Sequence, residues 1–166
     1  MFRDSTIYFG WNLDFRGRAY PIPPNFNHLG SDLCRGLLKF ANKEPLTERG
    51  LFWLKVNIAN LYGNNKISME ERAQFTDDHY ADIEASVRDP LENTWWNGGD
   101  DPWQILSACR ELVAANDSGD PAAYESDLFV SMDGSCNGLQ HYAALGRDLE
   151  GGAAVNLVPG DRPSDV

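Results

Sequence analysis

Long apolar runs are missing from this chain. Nowhere in its 166 residues do about 18 apolar residues follow one another, so no transmembrane helix is expected. A leader is missing too. After Met1-Phe-Arg-Asp-Ser-Thr6 the chain passes directly into what reads as folded sequence. It has neither the apolar core of a signal peptide nor the Arg-rich character of a transit peptide, so any organelle address lies outside this chain. Cysteine is sparse: Cys34, Cys109 and Cys136 are far apart and form no C-x-x-C or Cys/His pair. That speaks against zinc and against a disulfide framework, and suits a reducing compartment. No internal repeat and no low-complexity segment occurs. Basic charge is also scarce, with 14 Lys and Arg against 25 Asp and Glu, a net charge of −11. Such an average ordinarily opposes a nucleic-acid partner, whose phosphates an acidic surface repels. The deficit is uneven, however. Basic residues outnumber acidic ones in 1–60, whereas 70–130 is strongly acidic.

What is present suits one domain or a piece of a larger one, with 42% hydrophobic residues to build a core. Residues 7–22 place aromatic and β-branched residues on either side of a polar turn, predicting two extended pieces around Asp14 to Gly17. Pro21, Pro23 and Pro24 then force an irregular extended segment. A helix is expected over about 31–41. A second is expected over 46–62, with Leu51, Leu54, Ile58 and Leu61 on one stripe. A third starts at Ser68, which stands three residues before Glu71 as in a capping box, and Pro90 follows its end. A fourth opens at Asp101-Pro102-Trp103-Gln104, with Asp as cap and Pro at the first position, and fades near Asn116. An apolar strand from Leu128 then ends at Asp133, and Leu139 to Arg147 reads as helix.

Asp133 is the residue of most interest. A carboxylate at the end of a buried strand, with Gly134 and Gly138 freeing the backbone behind it, can hold a hard cation such as Mg2+. On local grounds a turn former or helix cap is the commoner reading of such an Asp. The second unusual cluster is Asp14-Phe-Arg16-Gly-Arg18-Ala-Tyr20. Side chains alternate along an extended chain, so Arg16, Arg18 and Tyr20 fall on one side and suit phosphate or sugar contacts. Equally, Asp14 can pair with one Arg in a structural turn. Asn25, Asn27 and His28 read as a solvated loop, His79 as a surface residue of a helix, and His141 as a packed core histidine. Trp95, Trp96 and Trp103 bracket a Gly-Gly-Asp-Asp loop; they either anchor it on the core or offer a stacking platform. Asp100 and Asp101 cap or bind a cation.

These clusters, in this order, resemble the single-subunit, phage-type DNA-dependent RNA polymerases, and the mitochondrial branch most. The residues that carry the resemblance are Asn12-Leu-Asp14-Phe-Arg16-Gly-Arg18-Ala-Tyr20-Pro and Phe26-Asn-His-Leu-Gly-Ser-Asp32. With them stand Pro90-Leu-Glu-Asn-Thr-Trp-Trp96, Pro102-Trp-Gln, and Asp133-Gly-Ser-Cys-Asn-Gly-Leu-Gln-His-Tyr-Ala-Ala-Leu-Gly-Arg-Asp148. The resemblance spans essentially the whole chain. It implies that Asp133 is a ligand of two catalytic Mg2+ ions and that Gly134 offers a backbone carbonyl to them. It implies that Arg16, Arg18 and Tyr20 contact template and RNA–DNA hybrid, with Arg35 and Lys39, on the helix that follows, as further backbone contacts. The implied partners are a DNA template, the hybrid and ribonucleoside triphosphates, with mitochondrial transcription factors besides. The implied location is the mitochondrion.

The fold so implied is α+β: an incomplete, few-stranded polymerase palm with a large helical insertion. Residues 1–43 would be a palm segment, 44–123 the helical insertion, 124–148 the strand and helix around Asp133, and 149–166 the start of the fingers. The reaction would be attack of an RNA 3′-hydroxyl on a nucleotide α-phosphate, with two metal ions holding the charge. The second catalytic carboxylate and the fingers Lys and Tyr of this family are not in the sequence. The chain therefore reads as cut, is not expected to polymerise alone, and is expected to expose apolar surface and sheet edge. The contrasting reading is a non-catalytic truncated product or pseudogene piece that keeps only nucleic-acid contacts.

Overall fold

The computed structural model describes residues 5–164; what was expected of the extreme ends, 1–4 and 165–166, lies outside the described residues. Among the described residues the architecture is α+β, seven α-helices with two small antiparallel sheets. The first sheet is a hairpin of β1 (Trp11–Leu13) and β2 (Ala19–Pro21), in the register Trp11↔Pro21, Asn12↔Tyr20 and Leu13↔Ala19. Its two strands flank the polar turn as expected. The second sheet pairs β3 (Lys39–Pro45) with β4 (Glu125–Leu128).

Helices fill the interval. α2 (Thr47–Tyr62), α4 (Tyr80–Arg88) and α5 (Pro102–Asp117) supply the central core, in which Leu54, Ile58, Ile83, Ile105, Ala108 and Leu112 pack together. Ile58, Ile83, Ile105 and Leu112 are wholly buried, and each such side chain contributes about 1.5–3 kcal/mol. The stripe read at Leu51, Leu54, Ile58 and Leu61 is the face that α2 turns to this core. α3 (Met69–Asp78) packs on α2, and α1 (Asp32–Leu37) packs on α5. Trp95 lies in a short 3-10 turn (Trp95–Gly98), stacked on Tyr62 at 4.5 Å, and Trp96 packs on Trp103 at 5.2 Å. The tryptophans thus anchor their loop on the core.

Several elements depart from expectation. The helix expected over 31–41 stops at Leu37, because Lys39 onward is drawn into the ladder with β4. Tertiary pairing overrides a locally helix-prone run. The capping box at Ser68 and Glu71 forms, with both reciprocal hydrogen bonds. The helix it starts is interrupted at His79, where the backbone leaves helical geometry and α4 begins. His79 is half-buried, not a surface residue: its Nδ1 lies 2.8 Å from the carbonyl of Phe75, and its ring packs on Phe75 and Trp95. β4 lies earlier than the expected strand: β3 begins at Lys39, opposite Leu128, and residues 129–132 have no partner strand among the described residues.

At the other end, α6 (Asn137–Gly146) packs chiefly on the short α7 (Leu149–Ala154). His141 is therefore exposed rather than packed, as are Tyr142 and Leu145. No helix among the described residues is long and apolar enough to cross a membrane.

The corner between α2 and α3 is held by a buried cation. Arg72, 5% exposed, donates from Nε to the carbonyl of Ile67 at 3.0 Å. Its Nη1 donates to Asn60 Oδ1 and its Nη2 to the carbonyl of Asn65, each at 2.8 Å. All three acceptors are neutral.

Candidate nucleic-acid interface

The hairpin turn is organised by Asp14. Its Oδ1 accepts the backbone N–H of Arg16 and of Arg18, both at 2.9 Å. Its Oδ2 takes Nε and Nη2 of Arg16 at 3.1 and 3.0 Å, a forked pair. Gly17 closes the turn at φ 76°, a left-handed conformation that glycine adopts without strain. The Arg18 N–H above all, with the side chain and N–H of Arg16, outweighs a desolvation cost and holds the Asp14 carboxyl below its ordinary pKa. The turn separates the two arginines that alternation had placed together. Arg16 folds back on Asp14, with its guanidinium also over the Phe15 ring at 5.3 Å. Arg18 is exposed and makes no ion pair among the described residues, and Tyr20 is exposed beside it on β2. The structural-turn reading is met by Arg16, which holds the turn, while Arg18 faces solvent.

In the loop that follows Asn25 is exposed as expected, but Asn27 and His28 turn inward. Asn27 is buried; its amide donates to the Pro23 carbonyl at 2.6 Å, and its Oδ1 accepts the Leu29 N–H at 2.8 Å. His28 is the centre of an aromatic bridge. Its ring lies 4.8 Å from Trp11, 5.7 Å from Phe9 and 6.3 Å from Phe129, and Phe129 in turn lies 5.9 Å from Phe40. This bridge ties the hairpin to the segment that runs on to Asp133.

Asp133 does not end a strand. It stands five residues past Leu128 on an irregular stretch, exposed, with Oδ1 accepting the Gly134 N–H at 2.8 Å. It borders a polar cavity of about 420 Å³ whose walls include Arg35, Asn57, Asn60, Asn65 and Gln104. Arg35 reaches Asp101 at 3.4 Å, while its Nε is buried without a partner among the described residues. Asp101, expected as a cap or cation ligand, makes no side-chain cap and serves as this ion-pair partner. Two expected site residues, Arg35 and Asp133, thus meet at one cavity. Asn57, Asn60 and Asn65, which line it with Gln104, were not among the expected site residues. Their signal was Asn57 and Asn60, polar residues three apart in the C-terminal half of α2.

Lys39 lies on β3 rather than on the preceding helix. Its Nζ sits 2.6 Å from Asp127 Oδ1 and 3.2 Å from Glu111 Oε2. Burial pulls its pKa down, but the hydrogen bonds and charges of Asp127 and Glu111 outweigh that and raise it above the ordinary lysine value.

A family profile described as DNA-dependent RNA polymerase matches residues 44–166. The chain belongs to this family. It is 57% identical to a mitochondrial DNA-directed RNA polymerase of Neurospora crassa over 166 residues, covering 99% of this chain and 12% of that protein. It is 54% identical to DNA-directed RNA polymerase 1, mitochondrial, of Nicotiana sylvestris, covering 98% of this chain and 17% of the relative. A mitochondrial relative from Schizosaccharomyces pombe is 49% identical, over 99% of this chain and 14% of the relative. The polymerase segment described here therefore spans less than a fifth of the length of these relatives.

In this polymerase segment no three His, Cys, Asp or Glu side chains gather to hold a metal among the described residues. Mg2+ takes six oxygens in near-octahedral geometry, some of them water and substrate phosphate. Asp133 offers one carboxylate and Gly134 a backbone carbonyl. These residues alone do not make the two-ion centre that the sequence resemblance implies.

Proposed function

We infer that this chain is part of a mitochondrial DNA-dependent RNA polymerase and that Asp133 is one of its catalytic carboxylates. The reaction is template-directed ribonucleotidyl transfer, with DNA template, RNA–DNA hybrid and ribonucleoside triphosphates as partners. The observation that carries this reading is the 57% identity to a mitochondrial DNA-directed RNA polymerase across the whole segment. Within that segment Asp133 stands exposed on an unpaired stretch beside a polar cavity.

The chain's own residues divide the work. Asp14 and Arg16 shape the hairpin turn so that Arg18 and Tyr20 face outward, where a guanidinium grips a phosphate and a phenol meets a sugar or base. The aromatic bridge through His28 keeps that hairpin against the Asp133 segment. Arg35, at the cavity that Asp133 borders, adds positive charge for a strand or a triphosphate. Asp133 and the Gly134 carbonyl are oxygen donors toward Mg2+, whose remaining donors come from other parts of the polymerase.

The test is labelled ribonucleotide incorporation on a DNA template by the full-length polymerase that contains this segment. Asp133→Ala is expected to reduce incorporation to background while leaving template binding intact. Retained incorporation by a folded Asp133→Ala enzyme would overturn the reading.

A further inference from the structure

The ribbon leading to Asp133 is irregular at its decisive end. β3 and β4 pair at Lys39↔Leu128, then at Glu44↔Ser126 and Pro45↔Glu125. Four residues, Phe40 to Lys43, therefore stand opposite one, Asp127. A bulge of that size uncouples the two ends of the ladder, so the pairs at Glu44 and Pro45 do not dictate the register at Leu128.

Charge closes the bulge instead. Lys39, at one end, places Nζ 2.6 Å from Asp127 Oδ1, and Lys43, at the other, places Nζ 3.9 Å from Asp127 Oδ2. Lys39 also holds Glu111 of α5, a carboxylate only 4% exposed whose second oxygen has no partner among the described residues. A buried carboxylate in that state is costly without its cation, so Lys39 is tied to α5 as well as to β4. The lysine joins the helical core to the last regular pair of the ribbon.

Past Leu128 the chain has no strand partner among the described residues. Beyond that pair the Phe129 ring packs on His28 and Phe40, and the pair sets the register from which the stretch to Asp133 starts. A slip of one residue at Leu128 would carry Asp133 along by about 3.3 Å and turn alternate side chains to the opposite face.

We propose that Lys39, together with Glu111 and Asp127, is a register pin that sets the position of Asp133. Lys39 is then a positioning residue and not a phosphate contact. The proposal rests on the reading of Asp133 as a catalytic carboxylate.

The experiment uses the full-length polymerase with Lys39→Met, Lys39→Arg, the double variant Lys39→Met with Glu111→Gln, and Asp133→Ala as reference. Turnover, KM for ribonucleotides, template affinity and thermal melting are measured for each. Misplacing a reacting group by an ångström or more costs on the order of a hundredfold. The expected result is a fall of that size in kcat for Lys39→Met, with KM and template affinity unchanged, and recovery in Lys39→Arg, which can still bridge two carboxylates. If Lys39→Met fails to fold, the double variant decides, because it removes the uncompensated buried carboxylate. A folded double variant with low kcat supports the pin. Wild-type kcat in either folded variant overturns it. So does weakened template binding as the main defect, which would make Lys39 a direct phosphate contact. Failure of both variants to fold overturns it as well, by making the trio a purely structural tie. An active Asp133→Ala enzyme would remove the catalytic reading itself, whatever Lys39 does.

Discussion

Asp32 caps a helix that begins far from it in sequence: its Oδ1 accepts the backbone N–H of Gln104 at 3.0 Å, and the side-chain amide of Gln104 at 3.1 Å. Its Oδ2 takes the Trp103 N–H at 2.8 Å. The first turn of α5 is therefore satisfied from α1, while Asp101, in the cap position, makes no such bond. The two helices approach closely enough that a Cβ at Gly36 would lie 2.8 Å from the Trp103 backbone. Asp32→Ala leaves two helix-end donors without this partner and is expected to cost about 1–2 kcal/mol. Asp32→Asn, which keeps an accepting oxygen, should cost less. Denaturant melts of the chain measure both; an unchanged midpoint for Asp32→Ala would show that the cap contributes nothing.

Acid should loosen the hairpin only below the ordinary carboxylate range. The Asp14 carboxyl is held below its ordinary pKa by the Arg18 N–H and by Arg16. A group depressed in the folded state stabilises fully above its unfolded value, and that stability is lost as pH falls through the folded value. The expected outcome is a hairpin unchanged at pH 5 whose Arg16 and Arg18 amide resonances move only below about pH 4. Asp14→Asn should show those shifted resonances at every pH. A titration of the same amides near neutrality would contradict the assignment.

The three cysteines should differ sharply toward an alkylating reagent. Burial in the core pushes the Cys109 thiol up to about 12, whereas Cys34 and Cys136 are only partly buried. The thiolate is the reacting form. At pH 8, mass spectrometry of the native chain is expected to find label on Cys34 and Cys136 and none on Cys109 until denaturant is added. Early labelling of Cys109 would mean that the core opens at α5.

Much of this fold was legible because its signals are local. The apolar stripe of α2, the Ser68–Glu71 box and the Pro102 start of α5 each depend on residues within one or two turns. The hairpin followed from the Asp14–Gly17 turn for the same reason. What escaped depends on distant partners. Nothing near Lys39 announces a strand; its partner is Leu128, and its charge is answered by Glu111 and Asp127. His28 reads as a loop residue until Trp11 and Phe129 are brought to it. Asp133 lies exposed beyond β4, at the border of the polar cavity. Its strand was misplaced, because whether residues 129–132 pair depends on a neighbour that local pattern does not reveal.

The Arg72 corner means that salt acts unevenly on this molecule. Ionic strength screens exposed partners such as Arg88 with Asp117, or Arg162 with Glu71. Arg72 is answered by two carbonyls and an amide oxygen beneath the surface, contacts with no counter-ion to be displaced. Concentrated electrolyte would therefore weaken the exposed link from Arg88 on α4 to the end of α5, while the buried junction of α2 and α3, and the apolar seam of Ile83 with Ile105, are left untouched by screening.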